Sequence, residues 1–280
     1  MDERLWKIEG RTVDLSRRGM IMGVLNVTPD SFSDGGEFFW TEKAVEHGLQ
    51  MAKEGAQIID VGGESTRPGA EPVSVDEELR RVIPVIESLR GSDTFISIDT
   101  SKSEVARMAL EAGASIINDV TGGRGDTEMM ALVAKRNAGF VIMHMQGEPR
   151  TMQVDPHYDD VVSEVVDFFR QQYARALDCG IDPMTIAFDP GIGFGKTLSH
   201  NLELLRNFER LRLNNRPMIV GVSRKSFLGK LIGSPTVADR LAPTVALTSL
   251  LRARGADVFR VHDVRENAVA LRVSETILEL

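Results

Sequence analysis

The sequence predicts one α/β domain folded as a (β/α)8 TIM barrel, and three observations carry the prediction. Eight short apolar runs along the chain each stop at a polar residue. An amphipathic stretch follows each run, so that helix, glycine and strand recur as a unit. The 280 residues carry no low-complexity linker and no break in composition; residues 1–280 therefore read as a single domain, and about 250 residues is ordinary for one barrel. A strand buried on both faces reads as a continuous apolar run. The polar group at its carboxyl end then sits at the open mouth, where such barrels carry their sites.

The elements follow in order. Residues 4–15 read as a short N-terminal hairpin covering the closed end. The strand runs are Met20–Leu25 ending at Asn26, Gln57–Ile59 at Asp60, Phe95–Ile98 at Asp99, Ser115–Ile117 at Asn118, Phe140–Met143 at His144, Thr185–Phe188 at Asp189, Met218–Val222 at Ser223-Arg224-Lys225, and Asp257–Val261 at His262. Helical patterns cover Thr41–Glu54, Val75–Arg90, Ser103–Glu111, Glu128–Arg136, Tyr158–Asp178, Asn201–Leu211, Val237–Arg254 and Val264–Leu278. Thr41 suits an N-cap, and Gly55, Gly113, Gly139, Gly180 and Gly255 suit helix ends. Two long connections, Thr28–Trp40 and Glu64–Val75, are expected to be functional and mobile.

Composition narrows the function. Lys plus Arg is 33 against 41 Asp plus Glu, a net charge of −8. That balance disfavours a generic nucleic-acid or membrane binder, and any anion must be met by local cations. Cys179 is the only cysteine, which excludes an internal disulfide and a Cys-based zinc motif. The charged first twenty residues hold no secretory signal, and no run approaches the ~18 apolar residues of a membrane span. A cytoplasmic enzyme is the expectation.

The mouth residues suggest chemistry. Asp99, Asn118 and Asp189 come from three strand ends. Each alone is more often a helix cap, but Ser101 or Ser103 is a better cap after Asp99. Together they form an accepting surface for a ligand with N–H and NH2 edges; without one, buried carboxylates are expensive. The stretch Asp189–Thr197 fails the Walker A pattern, because Pro190 stands where a glycine is required. Its glycines suggest backbone lying close to a ligand, with Phe194 as an apolar wall. Gly221–Ser226 ends a strand and opens a helix, a place where backbone N–H groups meet anions. Arg260 and His262, two residues apart, share one face of the last strand and suit a phosphate. Arg67 reads equally as an anion clamp or a solvated surface residue. His47, His157 and His200 read as bland, and His144 as ambiguous.

The motifs MGVLNVTPDSFSDGG (22–36), GGESTRPGA (62–70), SIDT, INDV, MHMQGEPRTMQ, FDPGIGFGK, GVSRKS and RVHDV, in order over nearly the whole chain, resemble the dihydropteroate synthase family of pterin-binding barrels. No family functional position departs from the pattern. The resemblance implies a transferase joining 6-hydroxymethyl-7,8-dihydropterin pyrophosphate to 4-aminobenzoate. It implies that Asp99, Asn118, Asp189 and Lys225 bind the pterin. It implies that Asn26, Thr66, Arg67, Arg260 and His262 hold the pyrophosphate, with Mg2+ at Asn26. Phe32, Thr66, Arg67, Pro68, Phe194, Lys225 and Ser226 would form the 4-aminobenzoate site, and Arg67, Arg260, His262, Asp34 and Lys225 the catalytic set. A homodimer through late helices is implied too. A methyltetrahydrofolate:corrinoid methyltransferase-like barrel and a non-catalytic pterin-binding protein remain the alternatives. The first would not need the two long loops or the pyrophosphate cluster, and the second would be expected to lose some of those residues.

Overall fold

A computed structural model describes residues 3–28, 37–65, 71–148 and 151–279. The chain opens with an antiparallel hairpin, β1 (Leu5–Ile8) and β2 (Arg11–Asp14). Eight further strands follow: β3 (Met20–Asn26), β4 (Ile58–Gly62), β5 (Phe95–Asp99), β6 (Ile116–Asp119), β7 (Gly139–Met143), β8 (Ile186–Asp189), β9 (Ile219–Val220) and β10 (Val258–Val261). All are parallel, in the order β8-β7-β6-β5-β4-β3-β10-β9. A parallel bridge from Phe188 to Met218 joins the two edges and closes the barrel. The helices among the described residues are α1 (Glu37–Glu54), α2 (Val75–Leu89), α3 (Ser103–Ala112), α4 (Met129–Arg136), α5 (Val161–Asp178), α6 (Leu198–Arg206), α7 (Ser226–Ile232), α8 (Leu241–Ala253) and α9 (Val264–Ile277). None is long and apolar enough to cross a membrane.

The period of two sorts each strand's side chains between two cores. Outward residues such as Ile21, Leu25, Ile59, Val61, Ile98, Phe140 and Phe259 pack beneath the helices. Inward residues Met22, Ile58, Ile116, Val141, Ala187, Ile219 and Val258 meet Trp6, Ile8 and Leu15 in a separate interior cluster. The hairpin thus plugs the closed end, as expected. Its Glu9-Gly10 turn has φ of 51° and 70°, the pair of positive values a type I′ turn requires. Trp6 is wholly buried, and its Nε1–H donates to the Thr185 carbonyl at 2.8 Å. The floor is apolar, so polar chemistry is confined to the layers above it.

Some local expectations are corrected. Thr41 lies inside α1, which begins at Glu37. Neither Ser101 nor Ser103 caps α3 by its side chain; the Ser103 N–H donates to Asp126 at 2.8 Å instead. α4 ends on Asn137 in the left-handed region, and Gly139 opens β7. α5 starts after Tyr158, on the Asp160 cap, whose side chain accepts from the N–H groups of Val162 and Ser163. α6 starts at Leu198, because Thr197 and His200 form a reciprocal capping box.

Candidate active site

Asn26, Gly62, Asp99 and Asn118 are successive register partners from β3 to β6. They therefore stand at one level of one rim. Gly62 keeps the rim open, since a Cβ there would lie 3.5 Å from the Asp99 Cβ and 3.9 Å from Asn26 Oδ1. Asp189 ends β8 across the mouth. Arg260 lies on β10, with His262 just beyond it. A Cβ at Gly221 would lie 3.7 Å from the Arg260 Cβ and 3.8 Å from Lys225 Nζ, so the two cations flank that glycine. Asp99, Asn118, Asp189, Lys225, Arg260, His262 and Asn26 are thus brought together from five strands and a helix start.

Charge in this mouth is paired with direction. Arg260 Nε donates to Asp60 Oδ2 at 2.6 Å, and Nη2 donates to Asp99 Oδ2 at 2.6 Å. Asn118 Nδ2 donates to the same Asp60 oxygen at 3.0 Å. That bond fixes the amide, leaving Asn118 Oδ1 as the acceptor offered to a ligand. Burial pushes the Asp99 carboxyl up to about 7 despite the opposing Arg260 cation, with Asp60 adding repulsion. Burial also raises Asp189, against the pull of Lys225. Burial opposes the charge on Arg260, but Asp60 and Asp99 outweigh it and hold the guanidinium cationic. A site with partly neutralised carboxylates gains most from a ligand that donates hydrogen bonds to them.

The other wall is built by the β8–α6 connection. Asp189 Oδ1 accepts the Gly191 N–H at 2.7 Å. A Cβ at Gly191 would meet the His144 carbonyl at 1.9 Å, and its φ is +62°, so only glycine fits. Lys225 Nζ donates to the Ile192 carbonyl and lies 4.6 Å from the Phe194 ring centre. Burial lowers Lys225 to about 8, with Asp189 opposing. Phe194 packs on Val120, Met143, Met145 and Met152. His262 Nδ1 lies 3.0 Å from Ser223 Oγ, which also accepts the His262 backbone N–H at 3.1 Å. Ser226 begins α7 and is exposed; Arg224 turns outward to pair with Asp263. Phe32, Asp34, Thr66, Arg67 and Pro68 lie outside the described residues, as do residues 29–36 and 66–70 of the two long loops.

Two contributors escaped the sequence. The run Gln57–Ile59 gave Asp60 as a rim residue, but β4 continues to Gly62 and leaves Asp60 wholly buried inside the barrel. Its alternation with Gly62 was the available signal. The methionine cluster carried none, because apolar residues beside a loop read as ordinary core.

The pterin binding enzyme family model matches residues 22–262. The dihydropteroate synthase of Escherichia coli (strain K12) is 48% identical over 273 residues, 96% of this chain and 95% of the relative. A solved Xanthomonas albilineans dihydropteroate synthase with 4-aminobenzoic acid is 44% identical, covers 100% of both chains and superposes with a TM-score of 0.92. The same organism's enzyme in complex with 7,8-dihydropteroate is 42% identical, with a TM-score of 0.88 and 99% of each chain covered. With its barrel, its ring of acceptors and its paired cations, this chain belongs to the pterin-binding enzyme family and, within it, to the dihydropteroate synthases.

Proposed function

We propose that this transferase joins 6-hydroxymethyl-7,8-dihydropterin pyrophosphate to 4-aminobenzoate, forming 7,8-dihydropteroate and pyrophosphate. The observation carrying the reading is the convergence of three acceptors, Asp99, Asp189 and the oriented Asn118 amide, beside Arg260 and Lys225. The donor edge of a pterin satisfies the acceptors, and Lys225 meets the ring carbonyl side. Asn26, Thr66, Arg67, Arg260 and His262 take the pyrophosphate. Phe32, Asp34, Thr66, Arg67 and Pro68 close over it, while Phe194, Lys225 and Ser226 wall the 4-aminobenzoate.

An aromatic amine is neutral at pH 7 and weakly nucleophilic, so a strong base gains nothing. The C–O bond breaks first, its electron pair leaving on pyrophosphate, and the pterin carries the cation at its exocyclic methylene. The amine lone pair then forms the C–N bond, and the surplus proton is lost to solvent. Cations at the leaving group supply the stabilisation, and the walls supply the positioning. Among the described residues no three His, Cys, Asp or Glu side chains group to hold a metal. A lone amide oxygen at Asn26 suits a Mg2+ that arrives with substrate phosphates and keeps its waters. When bound, that ion neutralises phosphate charge.

Leu250, Val269, Val273 and Ile277 of α8 and α9 are exposed, a face suited to a second copy; the working form is a cytoplasmic homodimer, with small molecules rather than nucleic acid or membrane as partners.

Thermal shift with and without Mg2+ tests the substrates. Pterin pyrophosphate should stabilise strongly and 4-aminobenzoate should add to it. Stabilisation by methyltetrahydrofolate instead would indicate the corrinoid-linked alternative, and pterin binding without turnover the non-catalytic one. Single-turnover rates with saturating ring-substituted 4-aminobenzoates test the order of bond changes. A flat plot against amine basicity is expected, and a steep slope would overturn cleavage first.

A further inference from the structure

Every backbone carbonyl from Gly191 to Gly195 accepts a hydrogen bond from a side chain. Lys196 Nζ takes Gly191 at 3.0 Å and Phe194 at 2.9 Å. Lys225 takes Ile192. Gln153 Nε2 takes Gly193 at 2.6 Å, and the Tyr158 hydroxyl takes Gly195 at 2.8 Å. Loops ordinarily leave such carbonyls to water. Here an ordered ring of donors replaces it. Lys196 is the innermost donor, 3% exposed, and the only one that grips two of these carbonyls.

The Lys196 head also meets His144, whose carbonyl accepts from it at 3.4 Å. His144 Nδ1 lies 2.9 Å away, on a ring that is 6% exposed. Burial, aided by Lys196 and Arg124, pushes His144 down to about 2, so the imidazole is neutral. Burial also lowers Lys196, with Asp189 opposing. The arrangement tolerates either form of the lysine. An ammonium gives its three N–H groups to the Gly191 and Phe194 carbonyls and Nδ1, its short contacts, with the His144 carbonyl at longer range. An amine gives two N–H groups to the carbonyls and accepts Nδ1–H from the other tautomer. The grip on Phe194 therefore survives loss of the proton.

We infer that Lys196 is a positioning residue for the aromatic amine substrate: by holding the Gly191 and Phe194 carbonyls against the end of β7, it sets the Phe194 ring over the Lys225 ammonium. This rests on the reading that Phe194 and Lys225 wall the 4-aminobenzoate site. Lys196 is buried behind the loop, so it acts chiefly through the wall that it braces. Of the pterin acceptors, Asp99 and Asn118 stand on other strands, whereas Asp189 meets the same loop through the Gly191 N–H and feels the Lys196 charge.

The test is a pair of variants and their cycle. Lys196→Met keeps the aliphatic packing and removes the donors. It should raise KM for 4-aminobenzoate about ten- to hundredfold and weaken calorimetric pterin affinity, through Asp189, by no more than about fivefold. Phe194→Ala should raise the same KM, and adding Lys196→Met to it should change little more, because one acts through the other. If Phe194→Ala leaves KM unchanged, the reading of the wall fails. If Phe194→Ala acts but Lys196→Met does not, or if pterin affinity falls as far as that for 4-aminobenzoate, the positioning role fails. Lys196→Gln, which retains a polar head, stands in should the methionine variant not fold, with the same expected direction. Should neither variant fold, Lys196 serves folding alone and the inference is overturned.

Discussion

Asp60 shows how one buried carboxylate can shape a site without facing its ligand. Its Oδ2 accepts from both Arg260 and Asn118, and its Oδ1 has no partner. Asp60→Asn makes the acceptor a mixed donor and acceptor, so the Asn118 amide loses its fixed sense. Pterin affinity should fall by about tenfold or more, the scale of a donor mismatch at a buried polar group. Calorimetry returning wild-type affinity would exclude this orienting role. Asp99 gives a second expectation. Its carboxyl is raised to about 7, so below that pH it is protonated in the free enzyme, while a donor edge needs it ionised. Pterin affinity should therefore rise with pH up to about 7, by as much as tenfold per unit, with proton release on binding. The same raised value costs the ligand-free fold stability as pH climbs from the ordinary carboxylate range toward 7. Titration calorimetry at about pH 6 in buffers of different ionisation enthalpy reads the proton directly; zero release there would contradict the assignment.

At the scale of elements, the hairpin separates stability from function. Trp6 fills the closed end, against the interior floor of the barrel. Trp6→Ala removes a wholly buried indole and its bond to Thr185, and should cost about 3–5 kcal/mol. Urea unfolding should show the loss, while KM for both substrates stays near wild type, because the mouth lies at the other end of the strands. A large KM change at full folding would mean that the floor and the rim are coupled. The closed end is also tied by Asp257, which is wholly buried and paired with Arg212 at 2.9 Å and Arg4 at 3.3 Å.

For the whole molecule, the late helices carry the open question of assembly. Val273 and Ile277 of α9 are 51% and 75% exposed, though their helix is otherwise anchored by Val264, Ala270 and Leu271. Val273→Glu puts a charge on that face. Sedimentation should give a dimer for the parent chain and a monomer for the variant at micromolar concentration. A parent chain that sediments as a monomer would leave this face without a self-association role.

The sequence by itself determined the barrel, because eight apolar runs closed by polar residues leave few other packings. It also determined which residues crowd the mouth, since Asp99, Asn118, Asp189 and His262 close runs, Lys225 stands at a helix start and Arg260 shares a strand face with His262. Local propensity could not place Asp60: its depth depends on how far β4 stays paired with β3 and β5. Nor could it pair Arg260 with Asp60 and Asp99, which are 200 and 161 residues distant in sequence. The cap at Ser103 failed for the same reason, because Asp126 supplied the partner, and Thr41 lies inside α1. Lys196, inside the stretch Asp189–Thr197, gains its partners only where the fold lays that loop on the end of β7. Hydrophobic period is written along the chain, whereas hydrogen-bond partners across a barrel exist only once it closes.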